Sequence, residues 1–145
     1  MKAKLNPRSR VYAALRHHVE EQINDWSYQN PDCGVCPITG EKLTNKTAQV
    51  DHYPIPFIQI VDSWLKLQEH YFRDYDHISK RWIRYNSTLK RVQIVEPSVR
   101  DGWREHHRKH AQYRYISASG NRKTSDRGYR KTKKQKLISP ISTDQ

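Results

Sequence analysis

Pro54 and Pro56 constrain this chain more than any other pair of residues. Each fixes its own φ and disfavours the helical region for the residue before it, so the chain must leave residue 52 along an extended path. The alternating run Thr47-Ala48-Gln49-Val50 therefore reads as a short strand that stops at Asp51-His52. Phe57, Ile60, Val61, Trp64 and Leu65 then restart the chain as an amphipathic helix, expected to pack on the first helix. A carboxylate and an imidazole are thus anchored side by side at a strand end. Neighbouring side chains on a strand face opposite ways, so the two serve one site only if the strand ends or twists there.

The remaining elements follow from similar punctuation. Asn6-Pro7 offers a cap and a first-turn proline, and Val11, Leu15, Val19, Ile23 and Trp26 continue at helical spacing. Asn30-Pro31-Asp32-Cys33-Gly34 breaks that helix and opens a turn region that runs from Pro37 to Gly40. Arg81–Tyr85 and Arg91–Val95, separated by the turn residues Asn86-Ser87, predict a β-hairpin. Ser98 with Asp101 resembles a capping box that opens a helix through Trp103 and His107. Tyr113 and Tyr115 belong to a second strand, core-facing or flanking. Trp64, Trp82 and Trp103 have apolar neighbours at the period of their elements and read as core rather than as base-stacking platforms. The domain organisation expected is an N-terminal helix over 1–30, a central domain over 31–129 and a flexible basic tail over 130–145.

Charge narrows the choice of partner. The 145 residues hold 27 Lys and Arg against 15 Asp and Glu, a net charge of +12. Between Trp103 and Lys136 stand twelve bases and two acids, so most of the excess lies in the last third. A bare lysine run would suit a solubility tail. Here Arg114, Arg122, Lys123, Arg127 and Arg130 are interleaved with Tyr113, Tyr115 and Tyr129, a mixture that suits phosphate contact and points to nucleic acid. No apolar run approaches the roughly 20 residues of a membrane span, and no apolar segment follows Met1-Lys2-Ala3-Lys4, so a soluble intracellular protein is expected. Two cysteines cannot make a disulfide framework.

The chemistry centres on Asp51, His52 and a later amide, Asn121. Carboxylate and amide oxygens suit a hard divalent cation, and an adjacent imidazole can take a proton from water, which together is what phosphodiester hydrolysis requires. An isolated Asp-His dipeptide is a common coincidence. His106, His107 and His110 share a basic helical segment and could equally form a solvated or phosphate-facing surface. His17 and His18 read as structural or exposed, and His70 and His77 carry no motif.

The run Gln112-Tyr113-Arg114-Tyr115-Ile116-Ser117, followed by three variable residues, Asn121 and then Lys123, resembles the second half of the HNH, or His-Me finger, nucleases. A longer resemblance, over roughly residues 33 to 126, is to the small HNH-like family of cyanobacteria, their phages and plastids, whose plant members are tied to ribosomal RNA processing. It rests on Cys36-Pro37-Ile38-Thr39-Gly40, Val50-Asp51-His52, Phe57 to Leu65, Trp103, His107, Ala111, Tyr113-Arg114 and Ser117 to Asn121.

The resemblance implies an α+β fold with a ββα-metal core, an N-terminal helix, a helical and hairpin insertion between the two catalytic strands, and a basic C-terminal tail. It implies His52 as general base, Asp51 and Asn121 as ligands of one Mg²⁺ or Mn²⁺, and Arg114 and Lys123 on flanking phosphates. The family's middle Asn falls on Gln112, which keeps the amide but adds a methylene, and His107 is the nearby residue that could compensate. Cys33-Gly34-Val35-Cys36 resembles half of a zinc knuckle whose second half would fall on Ser117 and Gly120. Structural zinc is therefore not expected, and the thiols should pack the turn in reduced form.

The expected function is a metal-dependent endonuclease acting on DNA, of homing or phage type, in a bacterial or phage-infected cell. Any sequence specificity should come from the hairpin insertion or the first helix. Alternatives are a non-cleaving RNA-binding or RNA-processing module of the plastid type, and an architectural DNA-binding protein that uses the tail alone. A homodimer stays open, since one site cuts one strand per encounter.

Overall fold

The computed structural model describes residues 6–68 and 74–124. Arg127, Arg130 and the basic tail lie outside them. The described chain is α+β, with two two-stranded antiparallel sheets and five helices. None of these helices is long and apolar enough to cross a membrane. The chain divides into two compact units, one of Met1–Glu21 with Val61–Lys109, the other of Gln22–Ile60 with His110–Gln145.

Helix α1 (Pro7–Gln29) begins where its cap predicts: the Asn6 Oδ1 accepts the Ser9 N–H at 2.8 Å. Its stripe Val11, Leu15, Val19 and Ile23 is buried. Strand β1 (Gln49–His52) is shorter than expected, because Thr47 is used in a local turn where its hydroxyl accepts the Thr44 N–H at 2.8 Å. Helix α2 (Phe57–Leu67) follows the prolines. Within the first unit its Asp62 accepts the Tyr12 hydroxyl of α1 at 3.3 Å, so the expected packing of these helices is found.

Helix α3 (Tyr75–Trp82) was not legible, and it takes Arg81 and Trp82 out of the expected hairpin strand. The Asp74 side chain caps it by accepting the His77 N–H at 2.8 Å, and Asp76 pairs with Lys80 one turn on. Trp82 consequently ends a helix, only half-buried, and is not core as expected. The hairpin proper is β2 (Ile83–Asn86) with β3 (Arg91–Ile94).

Helix α4 (Pro97–His110) starts one residue before the expected cap. Pro97 fits the first helical position, where its missing N–H costs nothing, so Ser98 is inside the helix and its hydroxyl donates to Glu96 instead of capping. Trp103 and Trp64 are core as expected, meeting edge to face at 5.4 Å, and the Trp103 indole donates to the Leu15 carbonyl at 2.8 Å. The His18 Nε2 accepts the Ile94 N–H at 2.9 Å and ties β3 to α1.

In the second unit β4 (Tyr113–Ile116) pairs antiparallel with β1, and a helix α5 over 118–124 follows directly. Ile116 packs with Cys36 and Leu43, backed by Cys33, Ile38, Ala48 and Tyr115. Full burial of a side chain such as Ile116 contributes about 2 kcal/mol.

Candidate functional site

The β1–β4 register sets Asp51 opposite Arg114 and His52 opposite Tyr113. Paired residues of a ladder share a face, and successive residues alternate. The side-chain contacts follow that rule. On one face Arg114 Nε donates to Asp51 Oδ2 at 2.9 Å, with the guanidinium 3.8 Å above the Tyr53 ring. Gln49 shares this face, and its Oε1 accepts the Asn121 Nδ2 at 2.7 Å. Asp51 and Asn121, 70 positions apart in the chain, are thus brought to one side of one strand pair.

His52 occupies the other face. Its ring stands 5.1 Å from Tyr113 and 5.0 Å from Phe57, and the residue is 7% exposed. Tyr113 and Tyr115 also pack on Trp26, at 5.4 and 4.8 Å, and Tyr115 donates to the Asn30 carbonyl at 2.7 Å. The two strand tyrosines therefore fasten the end of α1. The strand alternation persists through its last residue, so the twist that would point Asp51 and His52 to one side is not made by the ladder itself.

Gln112 acts here through its backbone: its carbonyl accepts the Tyr53 N–H at 3.0 Å and extends the pairing one step past His52, while its side chain is exposed. Arg122 and Lys123 are exposed on α5. His107 lies in the first unit and is not the solvated surface residue that a basic helix suggests. It has no exposed surface, packs 5.6 Å from Trp103, and is pushed down to about 4 by burial and then by Arg16. Neighbouring His106 is bonded through Nε2 to the Ser63 hydroxyl at 2.9 Å.

Sequence reasoning missed the knot under α5. Ser117 donates its N–H to the Cys36 sulfur at 3.3 Å, and its hydroxyl caps α5 by accepting the Gly120 N–H at 3.0 Å. Burial raises the Cys36 thiol, but hydrogen bonds from Ser117 and Thr39 outweigh it and bring it down to about 6. Glu41 is held below its usual range by hydrogen bonds from Ser117, Thr39 and Ser119. The signal was the spacing of Ser117 and Gly120 themselves, the two places where knuckle ligands are lacking.

Gly120 comes closest to this knot. A Cβ there would meet the Cys36 sulfur at 3.0 Å and the Ser117 hydroxyl at 3.2 Å. Gly120→Ala should destabilise the protein by about 1–2 kcal/mol despite alanine's better helix propensity, because the overpacked knot must move. Urea unfolding checks this; a stabilised variant would mean α5 can lift without cost.

Among the described residues no group of three or more His, Cys, Asp or Glu side chains could hold a metal ion. An Asp–Asn pair such as Asp51 and Asn121 falls outside that description, and hard cations such as Mg²⁺ commonly take few protein ligands and keep several waters. No protein-family model, curated protein or solved structure matches the chain.

Proposed function

We propose that this chain is a metal-dependent endonuclease of the HNH kind that hydrolyses DNA phosphodiester bonds. One juxtaposition supports the reading most: a carboxylate on β1 and an amide on the helix after β4 lie on one face of the strand pair, with Arg114 of β4 bonded to the carboxylate. Their oxygen donors fit Mg²⁺ or Mn²⁺. When bound, such a metal supplies positive charge beside the scissile phosphate and the leaving 3′ oxygen.

The protein's own groups divide the remaining work. His52, at the strand end, accepts the proton of the attacking water, for which the strand end must turn, since the ladder sends its ring to the face opposite Asp51. Its aromatic surroundings restrict the imidazole to few orientations, which favours a base that must meet one water. Arg114 now neutralises Asp51; a phosphate offers the same guanidinium a second anionic partner, so substrate and carboxylate share one positive charge. Lys123 and Arg122 extend the phosphate contacts along α5, and the +12 net charge adds affinity that does not depend on base sequence.

A second reading is favoured by one observation. Asp51 Oδ2 is already taken by Arg114, and His52 faces the other way, which suits an RNA-binding module that does not cut. The two readings separate on substrate. Supercoiled plasmid with Mg²⁺ or Mn²⁺ should be nicked, EDTA should stop the reaction, and Asp51→Ala should abolish it at all practical metal concentrations. An intact plasmid beside a processed or tightly bound structured RNA would reject the endonuclease in favour of the module.

A further inference from the structure

The β2–β3 ribbon has two chemically distinct faces. Ile83, Val92 and Ile94 are buried on one, with Tyr85 continuing that face at the exposed tip. The opposite face carries two cross-strand pairs, Arg84 with Gln93 and Asn86 with Arg91. From His77 to Val95 there are five Lys and Arg and no acid. Glu20 of α1 balances Arg91, whereas among the described residues no carboxylate pairs with Arg84.

We propose that this face reads base edges in the major groove of duplex DNA. Two strands about 4.8 Å apart, with their side chains, fit a groove about 12 Å wide and not one of about 6 Å. The deep, narrow major groove of A-form RNA excludes the same ribbon. The side chains are the ones that make paired hydrogen bonds to purines: arginine to guanine O6 and N7, glutamine to adenine N6 and N7.

Two contacts orient them beforehand. Asn86 Nδ2 donates to Gln93 Oε1 at 3.2 Å, which turns the Gln93 amide nitrogen to the other side, and Asn86 Oδ1 accepts the Leu89 N–H at 2.9 Å, bracing the turn. Arg84 spends one nitrogen, Nη1, on the Lys80 and Ile83 carbonyls at 2.7 and 2.9 Å, which fixes its plane and leaves its other donors for a base. Arg91, beside the turn, is held bidentately by Glu20 of α1, which anchors that end of the ribbon. Lys90, in the left-handed region at φ 57°, and Arg81 stand at the ends for phosphates. This surface belongs to the unit that contains neither Asp51 nor Asn121, so the inference does not depend on cleavage.

Selection of the full-length chain against random-sequence duplexes in EDTA tests it. A short motif holding neighbouring guanine and adenine should be enriched. Arg84→Ala and Gln93→Ala should each reduce the preference for that duplex over a scrambled one by about tenfold, the size of one lost bidentate contact. Arg84→Lys should lose the preference while keeping affinity for the scrambled duplex, because it keeps the charge without the fork. Lys90→Ala should weaken both duplexes alike. The proposal is overturned if no motif is enriched, if the preference survives in Arg84→Ala and Arg84→Lys, or if an RNA of the same sequence competes as well as the duplex. Failure of plasmid cleavage leaves these outcomes unchanged.

Discussion

On the proposed endonuclease reading, His52→Asn should lower the rate of Mg²⁺-dependent plasmid nicking by about 10²–10⁴-fold, the contribution expected of a positioned general base. Asparagine keeps a polar side chain of smaller volume between Tyr113 and Phe57, so part of the packing survives. A purely structural His52 would act differently. Its loss would remove ring contacts and lower stability by about 1–3 kcal/mol, and activity well below the melting temperature would then follow the folded fraction. Nicking rates and thermal melting measured on one preparation separate the cases. A folded variant that nicks at the native rate removes His52 from the chemistry, and a rate that falls only with the folded fraction makes it a packing residue.

Lowering the pH from about 6.5 toward 4 should destabilise the protein through two buried histidines. His18 is pushed down to about 4 by burial and then by His17 and Arg104, and His107 to about 4 by burial and then by Arg16. In the unfolded chain both return to about 6.5. The folded state therefore binds fewer protons than the unfolded state between these values, and stability rises with pH across that interval. The contribution is fully present above about pH 6.5 and is lost as pH falls toward 4, at about 3 kcal/mol for each residue. The loss has a structural meaning for His18. Its Nε2 must stay unprotonated to accept the Ile94 N–H, so protonation releases β3 from α1. Urea unfolding at pH 7 and pH 5 measures the effect, and His107→Phe, which keeps an aromatic ring beside Trp103, should flatten about half of it. A stability unchanged over that interval would mean both imidazoles are reached by water when charged.

Local signals located most of the elements. Asn6-Pro7 started α1, the two prolines ended β1 at His52, and turn residues separated the strands of the hairpin. The errors fell where several weak signals compete over a few residues. Helix α3 has eight residues and little apolar content, so Arg81 and Trp82 read as strand, whereas the Asp74 cap and the Asp76–Lys80 pair hold that segment in a helix. Ser98 lost the cap position to the residue before Pro97, because proline fixes the first helical φ more strongly than a hydroxyl attracts an N–H.

The candidate site was legible as residue types and spacing, not as contacts. Asp51, His52 and Asn121 stand where a resemblance can find them. Nothing local shows that Asp51 pairs with Arg114, that Asn121 reaches Gln49, or that a histidine in a basic helix has no exposed surface.

By itself the sequence determined where α1 begins and where β1 ends, that the charge favours a polyanion, and which side chains are chemically able to act. Only the tertiary structure decided which of them meet. Strand register is set by the whole buried face of a ladder, and it brings residues 63 positions apart to 2.9 Å while sending two neighbours, Asp51 and His52, to opposite sides.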